Sequence, residues 1–445
     1  MKYDVAVIGG GLSGLAASVE LASRRVKVIL IEQAPELGGR CYSFIDPVTK
    51  DIVDNGQHIL VEAYHHTLKY LDRIGTRKYL SRNTTSSITF HHPEKGICEF
   101  STKRIPPGSD IPAGIFTSPL LTAMDRLKII PLGKELQSWN ASPEAKLASM
   151  TIEDWLNGLN QSENIKKCFW YPIAISAMNE LPNRASALLF ARVLKQAFFG
   201  AASDADFLIP TVGQSELYVH PARDFLTLNK AEILFGTEVT SLDMKNKLVN
   251  RILLKNGQFI EAEKIVCAIP YYALARILSD ELLLAEPFNA LSRFQSSPIV
   301  SINLWFDRMI MEQVYLGVIG KRVQWLFNRN AIIGKLQSSG SYLSAVISAA
   351  YEVVEMSKEE LVQMAMEDIA KILPDASQAK LVHSTVVKEK RATFSCTPNI
   401  ERYRPNTQTP VRNLFLAGDW TNMGLPGTIE GAVMSGIKAA EAAIR

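Results

Sequence analysis

Two rhythms of apolar and polar positions alternate along this chain: short unbroken apolar runs, and longer stretches with helical spacing. The first run, Tyr3-Asp4-Val5-Ala6-Val7-Ile8, is rich in β-branched residues; Gly9, Gly10 and Gly11 follow, then an Ala/Leu-rich stretch to about Ala22. A short apolar run closed by glycine reads as a buried strand and the longer stretch as a helix, so the opening predicts strand, glycine turn, helix. Residues 26–31 form a second such run and end at Glu32. Helical spacing dominates residues 115–200, as in Leu120-Leu121-Met124-Leu127-Ile130 and Ala185-Leu188-Leu189-Ala191-Val193-Leu194-Ala197. Thr151 and Asp154 ahead of Trp155, and Ser357 with Glu360, have the spacing of capped helix starts, the second opening a helix to about Leu373. Residues 298–348 shorten and alternate as an antiparallel sheet does, and residues 248–260 predict a hairpin turning at Asn256-Gly257. Strands are expected at 264–270 and 413–419, with a final helix after Pro426.

Placed on these elements, the glycines acquire a chemical meaning. Gly9-x-Gly11-x-x-Gly14, with Leu12 and Ser13 inside it, lies between a strand and a helix, where it permits a tight turn and lets a pyrophosphate reach amides at the helix N-terminus. Glu32, at the end of the second strand, is placed to accept hydrogen bonds from ribose hydroxyls. To this point a flavin and a nicotinamide dinucleotide fit equally well.

Composition narrows the partners. The chain has 445 residues, 47% hydrophobic and 21% charged, which excludes a disordered chain and suits two or three folding units. A net charge of +3 without any long block of like charges argues against nucleic acid. Five widely separated cysteines form no C-x-x-C pair, so neither a zinc site nor a redox dithiol is expected, and a reducing cytoplasm fits. No cleaved signal is read at the N-terminus, where Asp4 and the glycines interrupt the apolar run. No uncharged apolar run reaches the roughly 18 residues of a spanning helix, so any membrane contact would be peripheral. His65 and His66 fall on a helix-like polar stretch and His91-His92 in an expected turn; all four read as solvated or locally hydrogen-bonded, with no metal site. No G-x-S-x-G elbow occurs.

The segment after the second strand, Glu32-Gln33-Ala34-Pro35-Glu36-Leu37-Gly38-Gly39-Arg40, resembles that of the FAD-dependent amine oxidase and carotenoid desaturase superfamily. Ala417-Gly418-Asp419 and Leu425-Pro426-Gly427-Thr428-Ile429-Glu430-Gly431-Ala432 resemble its C-terminal flavin signature. The resemblance implies an α/β fold: a discontinuous Rossmann-type FAD-binding domain (residues 1–100, 205–290 and 390–445) and a mixed α+β substrate domain (101–204 and 291–389). It implies that Gly38, Gly39 and Arg40 approach the diphosphate and Asp419 the ribityl or phosphate region. Pro426, Thr428 and Ile429 would present a helix N-terminus to the flavin pyrimidine edge, and the backbone of Val239 would touch adenine.

Within that superfamily the chain is similar to the hydroxysqualene dehydroxylase family in four stretches: Val53-Asp54-Asn55-Gly56-Gln57-His58; Ala177-Met178-Asn179-Glu180-Leu181-Pro182 with Ala185-Ser186; Leu208-Ile209-Pro210 through Ser215-Glu216-Leu217; and Ala417-Gly418-Asp419-Trp420-Thr421 through Val433. It departs from the family at Met423 and Gly427, and residues 80–112 and 308–340 match little. The resemblance implies FAD as cofactor and reduction of hydroxysqualene to squalene, with electrons from an external donor, NAD(P)H or a redox protein. Gly56 is expected near the flavin, with Gln57 and His58 aimed across the ring: His58 either as the acid that protonates the leaving hydroxyl or as a hydrogen-bonding partner of backbone or flavin, and Gln57 as a group that positions the ring. The residues from Phe169 to Met178, and Phe198-Phe199, would serve either as core or as the wall of an apolar tunnel. Residues 120–136, with Arg126, Lys128 and Lys134, suit a plain surface helix or a membrane-facing one. An oxidative carotenoid desaturase, an amine oxidase, and a non-catalytic prenyl-binding protein of the same fold stand as alternatives.

Overall fold

A computed structural model describes residues 3–82, 87–101, 114–138, 143–199, 204, 206–334 and 340–445. The side chains of Phe116, Pro143 and residues 197–199 lie outside that description, so the Phe198-Phe199 pair carries no structural statement.

Five strands form a wholly parallel sheet in the order Glu232–Leu234, Val28–Ile31, Tyr3–Ile8, Ala262–Cys267, Leu414–Leu416. Every residue of Val28–Ile31 and of Leu414–Leu416 is buried, as a strand covered on both faces requires. The helices Leu12–Ser23 and Ile429–Ala443 pack together against this sheet, so close that a Cβ at Gly436 would run into the Ser13 carbonyl. The hairpin Leu248–Leu254 with Phe259–Ile260 forms, and Val239–Lys245 joins it as a third antiparallel strand.

A seven-stranded sheet runs in the order Leu381–Phe394, Ser296–Phe306, Ser341–Ser348, Trp325–Asn328, Tyr315–Val318, Ser87–His92, Gly96–Ser101. Its pairs are antiparallel except Tyr315–Val318 with Ser87–His92. The alternation along Ser296–Phe306 explains its two faces. Val300, Ile302, Leu304 and Phe306 pack against Leu361, Ala365 and Ile369 of the helix Lys358–Ile372, whereas Ser301, Asn303 and Trp305 point the other way. That helix starts on the Ser357–Glu360 capping box, as Ile152–Gly158 starts on the one formed by Thr151 and Asp154.

His91 and His92 do not form a turn. Both lie in the strand Ser87–His92, and His91 is buried, because Tyr315–Val318, far away in sequence, pairs with that strand. His66 is also not simply solvated: its ring Nδ1 lies 2.8 Å from Glu430 Oε1.

Helices fill most of residues 114–199. Phe169, Trp170, Ala174 and Met178 are core, whereas Tyr171, Ile173 and Ala177 are only partly covered. The helix Tyr171–Met178 stops at Asn179, whose backbone is left-handed (φ 46°). Asn179 Nδ2 donates to Thr393 Oγ1 at 3.0 Å and its Oδ1 accepts from Ala349 N at 2.7 Å, tying the helical region to the large sheet. Glu180, fully buried, accepts from the hydroxyls of Tyr351 (2.7 Å) and Ser395. The Asn-Glu-Leu-Pro stretch is therefore a structural clasp between layers.

Candidate functional site

The first strand-to-helix turn is built around Gly9 and Gly14, which nothing larger could replace. Gly9 has φ +100°, and a Cβ at Gly14 would overlap the Gly9 carbonyl oxygen, so strand and helix meet with no room for a side chain. Opposite this turn, Gly38 (φ +110°) donates its N–H to Gly10 O at 2.8 Å. A Cβ at Gly39 would come 3.2 Å from Gly11 Cα, whereas one at Gly11 would meet nothing nearer than 4.0 Å. The two glycine turns thus face each other with open space in front of Gly11. Ser13 and Leu12 are buried in the first helical turn, and Ser13 Oγ lies 3.5 Å from Ser435 Oγ of the C-terminal helix.

Glu32 is 8% exposed and accepts from Gly10 N at 2.6 Å and Ala34 N at 2.8 Å. Its carboxylate therefore borders the glycine turn where a ribose would lie. Gln33 beside it is exposed. Gly236 N and Thr237 N donate to Ala34 O and Glu32 O, which fastens the segment leading into Val239 to the same end of the cleft.

On the other side of Gly11, Arg40 pairs with Asp419 at 2.7 Å and donates to Ala392 O at 2.6 Å. Burial alone would weaken the Arg40 charge; the Asp419 carboxylate more than offsets it, so the guanidinium stays firmly cationic. Arg40, Tyr272, Arg391, Thr393 and Asp419 line one small pocket, and the Arg391 guanidinium stacks over the Tyr272 ring at 4.4 Å. A Cβ at Gly427 would strike Thr393 at 2.8 Å and come 3.2 Å from Asp419 Oδ2, so the Pro426–Thr428 turn needs its glycine to close onto this pocket. Pro426 is buried, and Thr428 caps the helix Ile429–Ala443 by accepting from Gly431 N at 3.1 Å. Gly418 N donates to Ser435 Oγ at 2.8 Å. An acidic ribose partner, facing glycine turns, a fixed cation and a helix N-terminus together match the donor set of a dinucleotide, and FAD fits them.

The remaining predicted residues follow the strand Ile52–Asp54. Asn55 Nδ2 donates to Arg40 O at 2.7 Å, which brings Gly56 to the same cleft. His58 is half-buried, its Nε2 3.9 Å from where a Cβ at Gly56 would sit, and Ser301 Oγ is 3.6 Å from that point. Among the described residues the His58 ring has no hydrogen-bond partner. Burial holds its pKa below the ordinary histidine value, and the nearby Asp54 carboxylate opposes that shift.

A buried polar network that the sequence reading missed holds this segment. Asp54 Oδ1 accepts from Ser43 Oγ at 2.7 Å and Gln214 N at 2.9 Å, and Asp54 Oδ2 pairs with Arg329 at 2.8 Å. Gln214 Nε2 donates to Gly56 O, and Arg329 Nη1 donates to Gln57 Oε1. Cys41 Sγ donates to Gln214 Oε1 at 2.9 Å, and burial pushes its thiol pKa well up, so Cys41 is a packed thiol, not a nucleophile. Gln214 lies in one of the resembling stretches, a usable signal; Arg329 falls where the resemblance lapses and gave none. Trp420, against the alternative of an amine-binding aromatic cage, is 2% exposed and donates to Ile269 O at 3.1 Å. No cluster of three metal-ligating side chains occurs among the described residues.

The profile of the "Flavin containing amine oxidoreductase" family matches residues 12–444. A hydroxysqualene dehydroxylase of Sinorhizobium fredii is 28% identical over 451 residues, covering 100% of this chain and 99% of the relative. A 15-cis-phytoene desaturase of an Oncidium hybrid cultivar is 26% identical over 462 residues, covering 99% of this chain and 78% of the relative. The crystal structure of an oxidoreductase from Methanosarcina mazei superposes with a TM-score of 0.76 at 17% identity, covering 99% of this chain and all of the other, which shows a shared fold.

Proposed function

The chain belongs to the flavin containing amine oxidoreductase family and is an FAD-dependent oxidoreductase, and on that premise we propose that it reduces hydroxysqualene to squalene. Likeness along the full length to hydroxysqualene dehydroxylases supports the reading, but carotenoid desaturases share it. The observation that carries it is His58, an imidazole with no hydrogen-bond partner among the described residues, on the segment that Asn55 ties to Arg40. Loss of an allylic hydroxyl requires a proton at oxygen, a need that an oxidative desaturation does not have.

Reduced FAD, when bound, supplies the hydride that replaces the lost hydroxyl. The chain's own groups do the rest. Glu32, Arg40, Asp419 and the Thr428-Ile429 helix start would hold the cofactor, and Val239 would border its adenine. His58 in its imidazolium form gives its proton to the leaving oxygen, so water departs and an allylic cation is left for the hydride. Gln57, whose Nε2 donates to the His58 carbonyl oxygen at 3.4 Å, helps fix the backbone that carries that histidine. The half-covered Ile173, Ala177, Phe207 and Trp325 supply apolar and aromatic wall to a C30 chain and keep bulk water from the cation. No second G-x-G-x-x-G serves a nicotinamide, so electrons come from free NAD(P)H or a protein donor.

No described helix is long and apolar enough to cross a membrane. The helix Ala123–Gln137 exposes Met124 (59%), Leu127 (62%) and Ile130 (49%) beside Arg126, Lys128 and Lys134. This pattern supports a peripheral seat on an anionic leaflet, the inner face of the cytoplasmic membrane, from which an apolar substrate could enter. The deciding experiment is anaerobic incubation of the dithionite-reduced protein with hydroxysqualene. Squalene formed in step with flavin reoxidation supports the dehydroxylase. If the flavin stays reduced and no squalene forms, the second reading applies, and the oxidised protein should desaturate squalene or phytoene.

A further inference from the structure

Every polar atom that fixes the backbone path from Asp54 to Gln57 is held from outside the segment. Gln214 takes the Gly56 carbonyl, Ser43 and Gln214 N take one Asp54 oxygen, and Arg329 takes the other Asp54 oxygen together with the Gln57 amide oxygen. Arg329 is 1% exposed and Asp54 6%, so this is a buried ion pair. Buried pairs of this kind often add little to stability compared with apolar packing of the same volume. Arg329 has unusual reach: it opens the short helix Arg329–Ile333 that follows the strand Trp325–Asn328, and its guanidinium lies over the Tyr342 ring at 5.9 Å, itself stacked on Trp305 at 4.2 Å. Asn330 clamps that helix to the large sheet by accepting from Tyr342 N at 2.7 Å and donating to Gly340 O at 2.9 Å. The sheet that carries Trp325 and Phe327 is thereby connected through one rigid fork to the residues next to His58.

We propose that Arg329 is a positioning residue for the reaction, anchoring the Gln57-His58 segment by holding Asp54 with one arm and Gln57 with the other. Nη1 donates to Gln57 Oε1 while Nη2 lies 2.8 Å from Asp54 Oδ2 as an ion pair without hydrogen-bond alignment, so the planar guanidinium reaches both groups at once. A lysine offers one ammonium at a single point and lacks the two separated, coplanar nitrogens that reach Asp54 and Gln57 together. The inference rests on the reading that Gln57 and His58 face the cofactor.

The test uses the full-length FAD-loaded protein with R329K, Q57A and the R329K/Q57A double variant. R329K keeps a cation beside Asp54, so FAD content is expected to stay at the wild-type level. Squalene formation should fall about 100-fold in kcat with KM nearly unchanged, the cost of slightly misplacing a reacting group. The visible circular dichroism of the bound flavin should change in R329K, and in the Q57A background R329K should cost nothing further. Wild-type kcat and an unchanged dichroism spectrum in R329K, or fully additive losses in the double variant, would overturn the proposal. Should R329K fail to hold FAD, D54N/R329Q replaces it: that neutral pair also lacks an arm for Gln57, and the same dichroism and kcat outcomes decide. The dichroism measurement needs no isoprenoid, so it tests Arg329 even if hydroxysqualene proves to be the wrong substrate.

Discussion

Glu430 is the place where the fastening of the C-terminal helix can be measured. Its carboxylate is 2% exposed and accepts from His66 N at 3.0 Å, Thr67 N at 2.9 Å and Thr67 Oγ1 at 2.7 Å, with His66 Nδ1 at 2.8 Å. Two of these donors are first-turn amides of the helix His65–Arg73, so the anion also completes the positive end of that helix. Glu430→Gln preserves volume but turns one acceptor oxygen into an NH2 group that faces donors. His66 Nδ1 or Thr67 Oγ1 can turn to accept from the new NH2, but the backbone amide beside it loses its acceptor, and this one unpaired donor makes the expected penalty about 1–3 kcal/mol. Glu430 follows Thr428 and Ile429 at the helix start, so part of the loss should appear as weaker cofactor retention, up to about 10-fold in the FAD Kd at about 1.4 kcal/mol per factor of ten. Urea unfolding followed by far-ultraviolet circular dichroism, with and without added FAD, reads the first quantity, and flavin fluorescence titration reads the second. The pH dependence has a definite sign. Burial pushes the Glu430 carboxyl up, but the His66 and Thr67 hydrogen bonds more than reverse this and leave its pKa below the ordinary value. The stabilisation is therefore complete above about pH 4.3 and is lost as pH falls through the lower folded-state value, so wild type and variant should converge in acid. A Glu430→Gln protein with the wild-type urea midpoint and FAD affinity at neutral pH would refute the reasoning.

Three further outcomes are expected. His58→Gln should retain FAD and lower squalene formation by about 100- to 10,000-fold, the range of a lost general acid; because burial depresses the His58 pKa, wild-type turnover should rise as pH falls below the ordinary histidine value, and a pH–rate profile that is the same in both proteins would remove His58 from the mechanism. Arg40→Leu leaves Asp419 buried without its cation, so the protein should lose about 3–5 kcal/mol in urea unfolding and purify without the flavin absorbance band. Leu127→Glu places a carboxylate on the exposed face of the helix Ala123–Gln137 and should reduce co-sedimentation with anionic vesicles while leaving solution turnover unchanged; equal sedimentation of both proteins would exclude that helix as the membrane contact.

What could be read from the sequence lies within a few residues of itself. The glycine turn after Tyr3–Ile8 was readable because strand, turn and helix are contiguous, and the Thr151 and Ser357 caps because each closes within one helical turn. The flavin family was readable for the same reason, since its signatures are short and local. The misreadings come from pairing across distance. His91 looked like a turn residue, and only a strand more than 220 positions away buries it. His66 looked solvated or locally hydrogen-bonded, but its ring meets Glu430, 364 positions on. Asp54 stood in plain view in a resembling stretch, but its partners Ser43, Gln214 and Arg329 come from three separate elements. A buried polar side chain must find its partner, and which partner it finds depends on how layers stack and strands register, a choice made by the packing of the whole chain. The sequence alone determined the kind of cofactor and the glycine turns and helix starts, because backbone turns and helix starts are local. Only the tertiary structure decided which side chains hold the segment beside His58, because those contacts exist only once the two sheets and the helical layer have closed on one another.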